Sequence, residues 1–199
     1  MRLYKSMKKS TKGLALIELI IALGILGAIT AAVVTLASRS IQANNLNTLI
    51  RNVTDLTIGM KQTFRGNYDV TPATADTEIQ TVLKNAGIPE GAFSNPLGEP
   101  YKFGIASVRG IDKRAGMVEI KDLRKEDCVT LAQQMYDGVD YMKITDGTGN
   151  FDADIEIPKA VVTDGYLKSL YGTLDYSIVN ISTACGARVD GNSLILGIR

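Results

Sequence analysis

Hydrophobic and polar positions alternate along this 199-residue chain in three different ways. From Leu14 to Ala37, 24 residues carry one charge, Glu18. A helix of that length spans the ~30 Å of a bilayer's hydrocarbon, so the run predicts a membrane-crossing helix over 14–37. Polar residues return after Ser38, yet Leu46, Leu49, Ile50, Val53, Leu56, Met60 and Phe64 recur at three- and four-residue steps. That rhythm predicts an amphipathic continuation of the helix over 38–65, with one buried face. No Pro or Gly interrupts Ala28 to Ile58. Gly59 is a weak point costing about 0.8–1 kcal/mol against Ala, and Gly66 suits the left-handed turn that ends a helix. A helix over 14–65 would be roughly 78 Å long.

From residue 66 the pattern shortens to that of a mixed globular head, 66–199. The stretch 74–87 (TADTEIQTVLKNAG) has an acidic start and a glycine end and predicts a short helix; 125–135 (KEDCVTLAQQM) predicts another, carrying Cys128. Strands are predicted at 101–108, 116–123, 140–146 and 193–199, with 151–157 (FDADIEI) as a hairpin partner for 140–146 across the turn-rich DGTGN. The segment 158–177 yields no assignment. The expected fold class is α+β: an antiparallel sheet packed on the long N-terminal helix.

Charge sharpens the division. Five of the 22 bases, Arg2, Lys5, Lys8, Lys9 and Lys12, precede the apolar run with no acid among them, so 17 bases face all 21 acids in the rest, a net of −4. A mildly acidic body without a basic stripe argues against nucleic acid as a direct ligand. The chain has no His, which excludes imidazole catalysis and histidine metal ligation, and no Trp. Neither a Ser-Lys pair nor a lone thiol stands in a recognisable nucleophilic context, so the chain does not read as an enzyme and implies no cofactor. Cys128 and Cys185 are too few for a cysteine-rich zinc site. They are either a disulfide or two unrelated thiols, and an export-type N-terminus favours the bond. It would close a loop for which chain entropy gives about 4 kcal/mol.

Glu18 is the residue that most needs a reason. At the edge of a membrane helix it can snorkel toward the headgroups at reduced cost. If the chain is cut between Gly13 and Leu14, however, Glu18 becomes the fifth residue, one helical turn from a new amine that it could neutralise within or between chains. Gly24 and Gly27 also have two readings. Glycine is common in membrane helices; with Ala28, Ala31 and Ala32 these two could also allow close helix packing or local unwinding on assembly.

The run KG-LALIELIIALGILG, with a short basic leader ending in Gly13, an apolar first residue and Glu at the fifth position, resembles the processing signature of type IV prepilins and the related pseudopilins. The resemblance implies a leader over 1–13, cleavage after Gly13 and methylation of Leu14 by a prepilin peptidase, and a helix retained for polymer assembly. Leu14 in place of the Phe usual in the type IVa branch, and an apolar helix without proline, point to type IVb; the 13-residue leader is intermediate between branches. QTFRGNY, NPLGEPYKFGIA and a Cys-bearing helix after GMVEI are similar to type IVb major pilins, in which the cysteines staple the C-terminal region to the sheet, here 128–185. Implied partners are other copies of the chain, the peptidase, an assembly ATPase with its platform, and an outer-membrane secretin. The implied location is the inner membrane of a Gram-negative bacterium, then an extracellular pilus serving adhesion, self-association or conjugative contact.

Two other readings stand beside this one: a pseudopilin of a type II secretion system, and an exported soluble protein whose signal is cut after Ala37. Within the head, Asp146, Asn150, Asp152 and Asp154 are spaced like calcium ligands but miss the EF-hand pattern, with Phe151 at the glycine position and Ile157 at the twelfth, so a hairpin turn is expected there. The charged run 121–127 (KDLRKED) reads as a solvated helix entry.

Overall fold

The computed structural model describes residues 12–147, 151–157, 161–171, 174, 177–186 and 191–199. The chain divides into two compact units, Met1–Asn44 and Asn45–Arg199. Helix α1 (Lys12–Phe64) contributes to both. It ends where expected, by Arg65 and Gly66 in succession at φ 48° and 73°. Residues 1–11, expected to form most of a leader, lie outside the described residues.

In the second unit, Leu49, Val53, Leu56 and Met60 of α1 are fully buried, as their spacing predicts. Gly59 has a packing role rather than being a tolerated flaw. A Cβ there would stand 2.7 Å from Ile88 Cδ1, so the missing side chain makes room for Ile88 in the turn beyond α2 (Ala75–Asn85). Buried Asn52 anchors the same region, its Nδ2 donating to the carbonyls of Gly91 at 3.2 Å and Ser94 at 2.9 Å. Asp76 of α2 accepts from the Phe103 N–H at 2.7 Å and so ties this helix to the sheet.

The sheet is antiparallel, in the order β1 (Lys102–Val108), β2 (Ile111–Leu123), β5 (Asn192–Ile198), β3 (Tyr141–Thr145), β4 (Tyr166–Lys168). One face packs on α1, α2, α3 (Lys125–Met135) and α4 (Ile178–Gly186) through Val118, Ile120, Leu194 and Leu196. The last strand in sequence is central in space, and every residue of β5 is buried.

That two-sided burial follows from the path of 151–157, which differs from the expected hairpin. β3 already pairs with β5 on one side and β4 on the other, so no edge remains for a third partner. The segment instead reaches β1, which it meets in one parallel bridge, Ser107 to Asp154. It thereby covers the sheet's second face, where Met117, Tyr141, Ile155 and Ile195 form a second core with Phe151 packed against them. The ring of Phe151 lies where a Cβ of Gly104 would be.

The charged run 121–127 is corrected as well. Lys121–Leu123 complete β2, with Leu123 fully buried. Asp127 is buried in the first turn of α3, accepting from Arg124 Nε at 2.7 Å. The run straddles a strand-to-helix junction, so only part of it meets solvent.

Candidate assembly surface

Among the described residues, the first unit presents an apolar cylinder. Every residue from 16 to 44 is exposed. Twelve large apolar side chains between Leu16 and Leu36 are involved, on all faces of the helix, and Leu36 is 67% exposed. Fully burying such side chains is worth about 1.5–3 kcal/mol each, so this surface requires lipid or other protein. The segment is long and apolar enough to cross a membrane. Its hydroxyls are prepared for such surroundings. Thr30, Thr35 and Ser38 each donate to the carbonyl four residues back, at 2.8, 2.9 and 2.9 Å, and so need no water.

The sequence-predicted residues fall on this cylinder. Gly13 and Leu14 lie in the first turn of α1. Glu18 is exposed among Ile17, Leu19, Ile20 and Ile21. Nothing lies within 4 Å of where a Cβ would stand on Gly24 or Gly27, so both are open to approach from outside the chain.

The disulfide belongs to the other unit. Cys128 of α3 is bonded to Cys185 of α4, with both residues fully buried and Cα atoms 5.9 Å apart. The pairing was legible in the sequence; α4 itself was missed. The bond fastens α4 to the sheet-packed α3, and β3 and β4 lie within the loop it closes.

The carboxylates with calcium-like spacing have other partners. Asp152 accepts from the Tyr141 hydroxyl and, at 3.0 Å, from Lys143 Nζ, which also bonds Tyr166 Oη at 3.0 Å. Asp154 accepts from the backbone N–H groups of Gly110 and Glu156, both at 2.8 Å. These bonds pin the covering segment to β3 and to the β1–β2 turn. Asn150 lies outside the described residues. Burial alone would lower the Lys143 pKa, but its bonds to Tyr166 and Asp152 outweigh that, and the net direction is upward. Burial and the facing Asp152 push the Tyr141 phenol well above its usual value. Both groups therefore hold their protons at neutral pH, as structural ties require.

Sequence reasoning also missed Glu119. It is a charged-type residue in mid-β2, 0% exposed, with Lys121 Nζ at 3.8 Å from its Oε2. Burial raises its pKa, opposed by Lys121 and Lys102. The alternation of β2 places it on the second face, between Lys102 of β1 and Ile195 of β5.

No family model matches the chain. Among curated proteins it is 30% identical over 189 residues to a toxin coregulated pilin of Vibrio cholerae serotype O1, covering 88% of this chain and 83% of that one. A second toxin coregulated pilin of Vibrio cholerae is 28% identical over 156 residues, 74% of this chain and 68% of its own length. The fold is similar to the crystal structure of TcpA, a type IV pilin from the Vibrio cholerae El Tor biotype. The TM-score is 0.67 at 19% identity, covering 78% of this chain and 99% of that one. An exposed apolar stretch over 16–44, a helix-backed antiparallel head and a 30% identical pilin that matches most of the chain place this protein in the type IV pilin family.

Proposed function

We propose that this chain is a type IVb prepilin, cut between Gly13 and Leu14, methylated at Leu14 and held in the inner membrane by 14–37 until it joins a filament. Residues 14–65 then form the filament core, and the head forms its outer surface. The observation that carries this reading is a wholly exposed apolar stretch over 16–44 in a chain whose other unit has its own core and disulfide. Such a helix can be satisfied first by lipid and then by like helices, which is what a polymer drawn from a membrane demands. Glu18 and the Leu14 amine would neutralise one another as water is excluded, and Gly24 and Gly27 would admit close neighbours. Partners beyond copies of itself would be a prepilin peptidase, an assembly ATPase with its platform, and a secretin. The finished extracellular pilus would serve adhesion, bacterial self-association or conjugative contact.

The decisive experiment is mass spectrometry of the mature N-terminus. Methyl-leucine from Leu14 is the expected result, and a chain beginning at Ser38 would replace this reading with a secreted soluble protein. Electron microscopy of sheared surface material separates a pilin, which yields filaments, from a secretion-system pseudopilin.

A further inference from the structure

Four arginines from separate parts of the head line one cleft of about 420 Å³: Arg65 after α1, Arg109 in the β1–β2 turn, Arg114 in β2, and Arg199 after β5. The described lining adds Gly66, Val108 and Ile111 and no acidic side chain. We propose that this cleft binds a saccharide carrying two or more sulfate or phosphate esters.

Chemistry and size both select that class. Guanidinium groups offer planar forks that match the oxygens of sulfate and phosphate, and four of them suit several esters on one molecule better than one small ion. The volume lies in the roughly 300–1,000 Å³ range of small-ligand clefts. Ile111, 59% exposed, offers hydrocarbon to the C–H face of a sugar ring.

The nearby acids are already engaged. Glu156, itself largely buried, holds Arg109 from one side at 3.1 Å. Asp69 pairs with Lys113 at 2.9 Å, and Asp140 accepts from the backbone N–H of Arg199 at 2.9 Å.

Two of the arginines also occupy backbone positions that work against them. Arg65 and Arg109 have φ of 48° and 55°, left-handed values that cost a side-chain-bearing residue roughly 1–2 kcal/mol. Arg109 and Gly110 form the two-residue hairpin turn, whose first position ordinarily favours Asn, Asp or Gly. The ion pair with Glu156 is a local reason for Arg at 109, whereas among the described residues no ion pair accounts for Arg65, Arg114 or Arg199 in the same cleft. Neutralising the end of α1 does not explain the cluster either. That end carries only about half an elementary charge, and Lys61 already sits in its last turn.

The test is calorimetric titration of the full chain in neutral-detergent micelles at about 50 mM salt, where surface charge is weakly screened. Sucrose octasulfate probes the sulfate ester and fructose 1,6-bisphosphate the phosphate ester; binding of either supports the site and identifies the ester. The double variant Arg65→Gln/Arg114→Gln should weaken binding about tenfold or more, and Arg51→Gln/Lys84→Gln, outside the cleft, should leave it unchanged. If the first pair impairs folding, Arg114→Gln alone, at an exposed position of β2, should give part of the same loss. Neither probe binding, binding insensitive to the cleft variants, or displacement by sodium sulfate at matching concentration would overturn the proposal.

Discussion

Tyr68 lays its ring across Gly116 of β2, over the point where any other residue would carry its Cβ. The ε-methyl of Met60 closes on the same point, and the Tyr68 ring stacks on Phe64 with centroids 4.6 Å apart. The end of α1, the chain leaving it and the sheet therefore meet at a glycine.

Gly116→Ala should consequently destabilise the head. Overpacking against a rigid, buried ring costs about 1–3 kcal/mol, and each kcal/mol lowers the melting temperature of a domain this size by about 2–4 °C. Adding Tyr68→Leu should recover part of the loss, because the two changes share one contact. Thermal denaturation of the four proteins in the cycle measures it; strictly additive losses would show that the ring is not what the new methyl meets.

Cys128→Ser should act on stability alone. Losing the cross-link between α3 and α4 removes about 2–4 kcal/mol, and α4 should loosen first because its exposed Ile178 and Val179 contribute little burial. A lower melting temperature and reduced subunit abundance are expected. Free thiols titrating in the native exported protein would contradict the bonded arrangement.

Glu119 makes the head's stability depend on pH with a defined sign. Burial raises its pKa in the folded state, so folding takes up a proton between the ordinary carboxylate value and the raised one, and stability falls as pH rises through that window. Glu119→Gln should raise the melting temperature at about pH 7 and lose that advantage below about pH 4, where the acid is protonated in both states. A loss of stability on substitution at pH 7 would mean that Lys121 and Lys102 more than offset the cost of burial.

The sequence revealed those elements whose side-chain period agrees with their burial. The three- and four-residue steps of Leu49, Val53, Leu56 and Met60 disclosed α1, and 101–108, 125–135 and 193–199 fell within a residue of β1, α3 and β5. The α4 helix was not legible, because IVNIST is rich in β-branched residues of modest helix propensity and its first two apolar residues face outward. The alternation in FDADIEI was real but belonged to a segment lying across a sheet face, and no local pattern distinguishes that from a strand with a partner. Gly59 looked like a weakness because its reason, Ile88, is supplied by tertiary approach. For the assembly surface, composition was sufficient: a helix apolar on every side needs outside partners whatever the head looks like.

If, as proposed, the exposed apolar stretch joins like helices, Glu18 is the charge that would have to be matched on entry. An unpaired carboxylate and amine brought into a water-poor core would cost several kcal/mol, and on this proposal a docking subunit would pair them at only one axial offset. The most direct measurement is the yield of shear-released surface filaments from cells carrying Glu18→Gln, read against the amount of processed subunit in the membrane. The account predicts normal processing and membrane residence with few or no filaments; filaments in normal amount would show Glu18 to be a tolerated residue at the membrane edge.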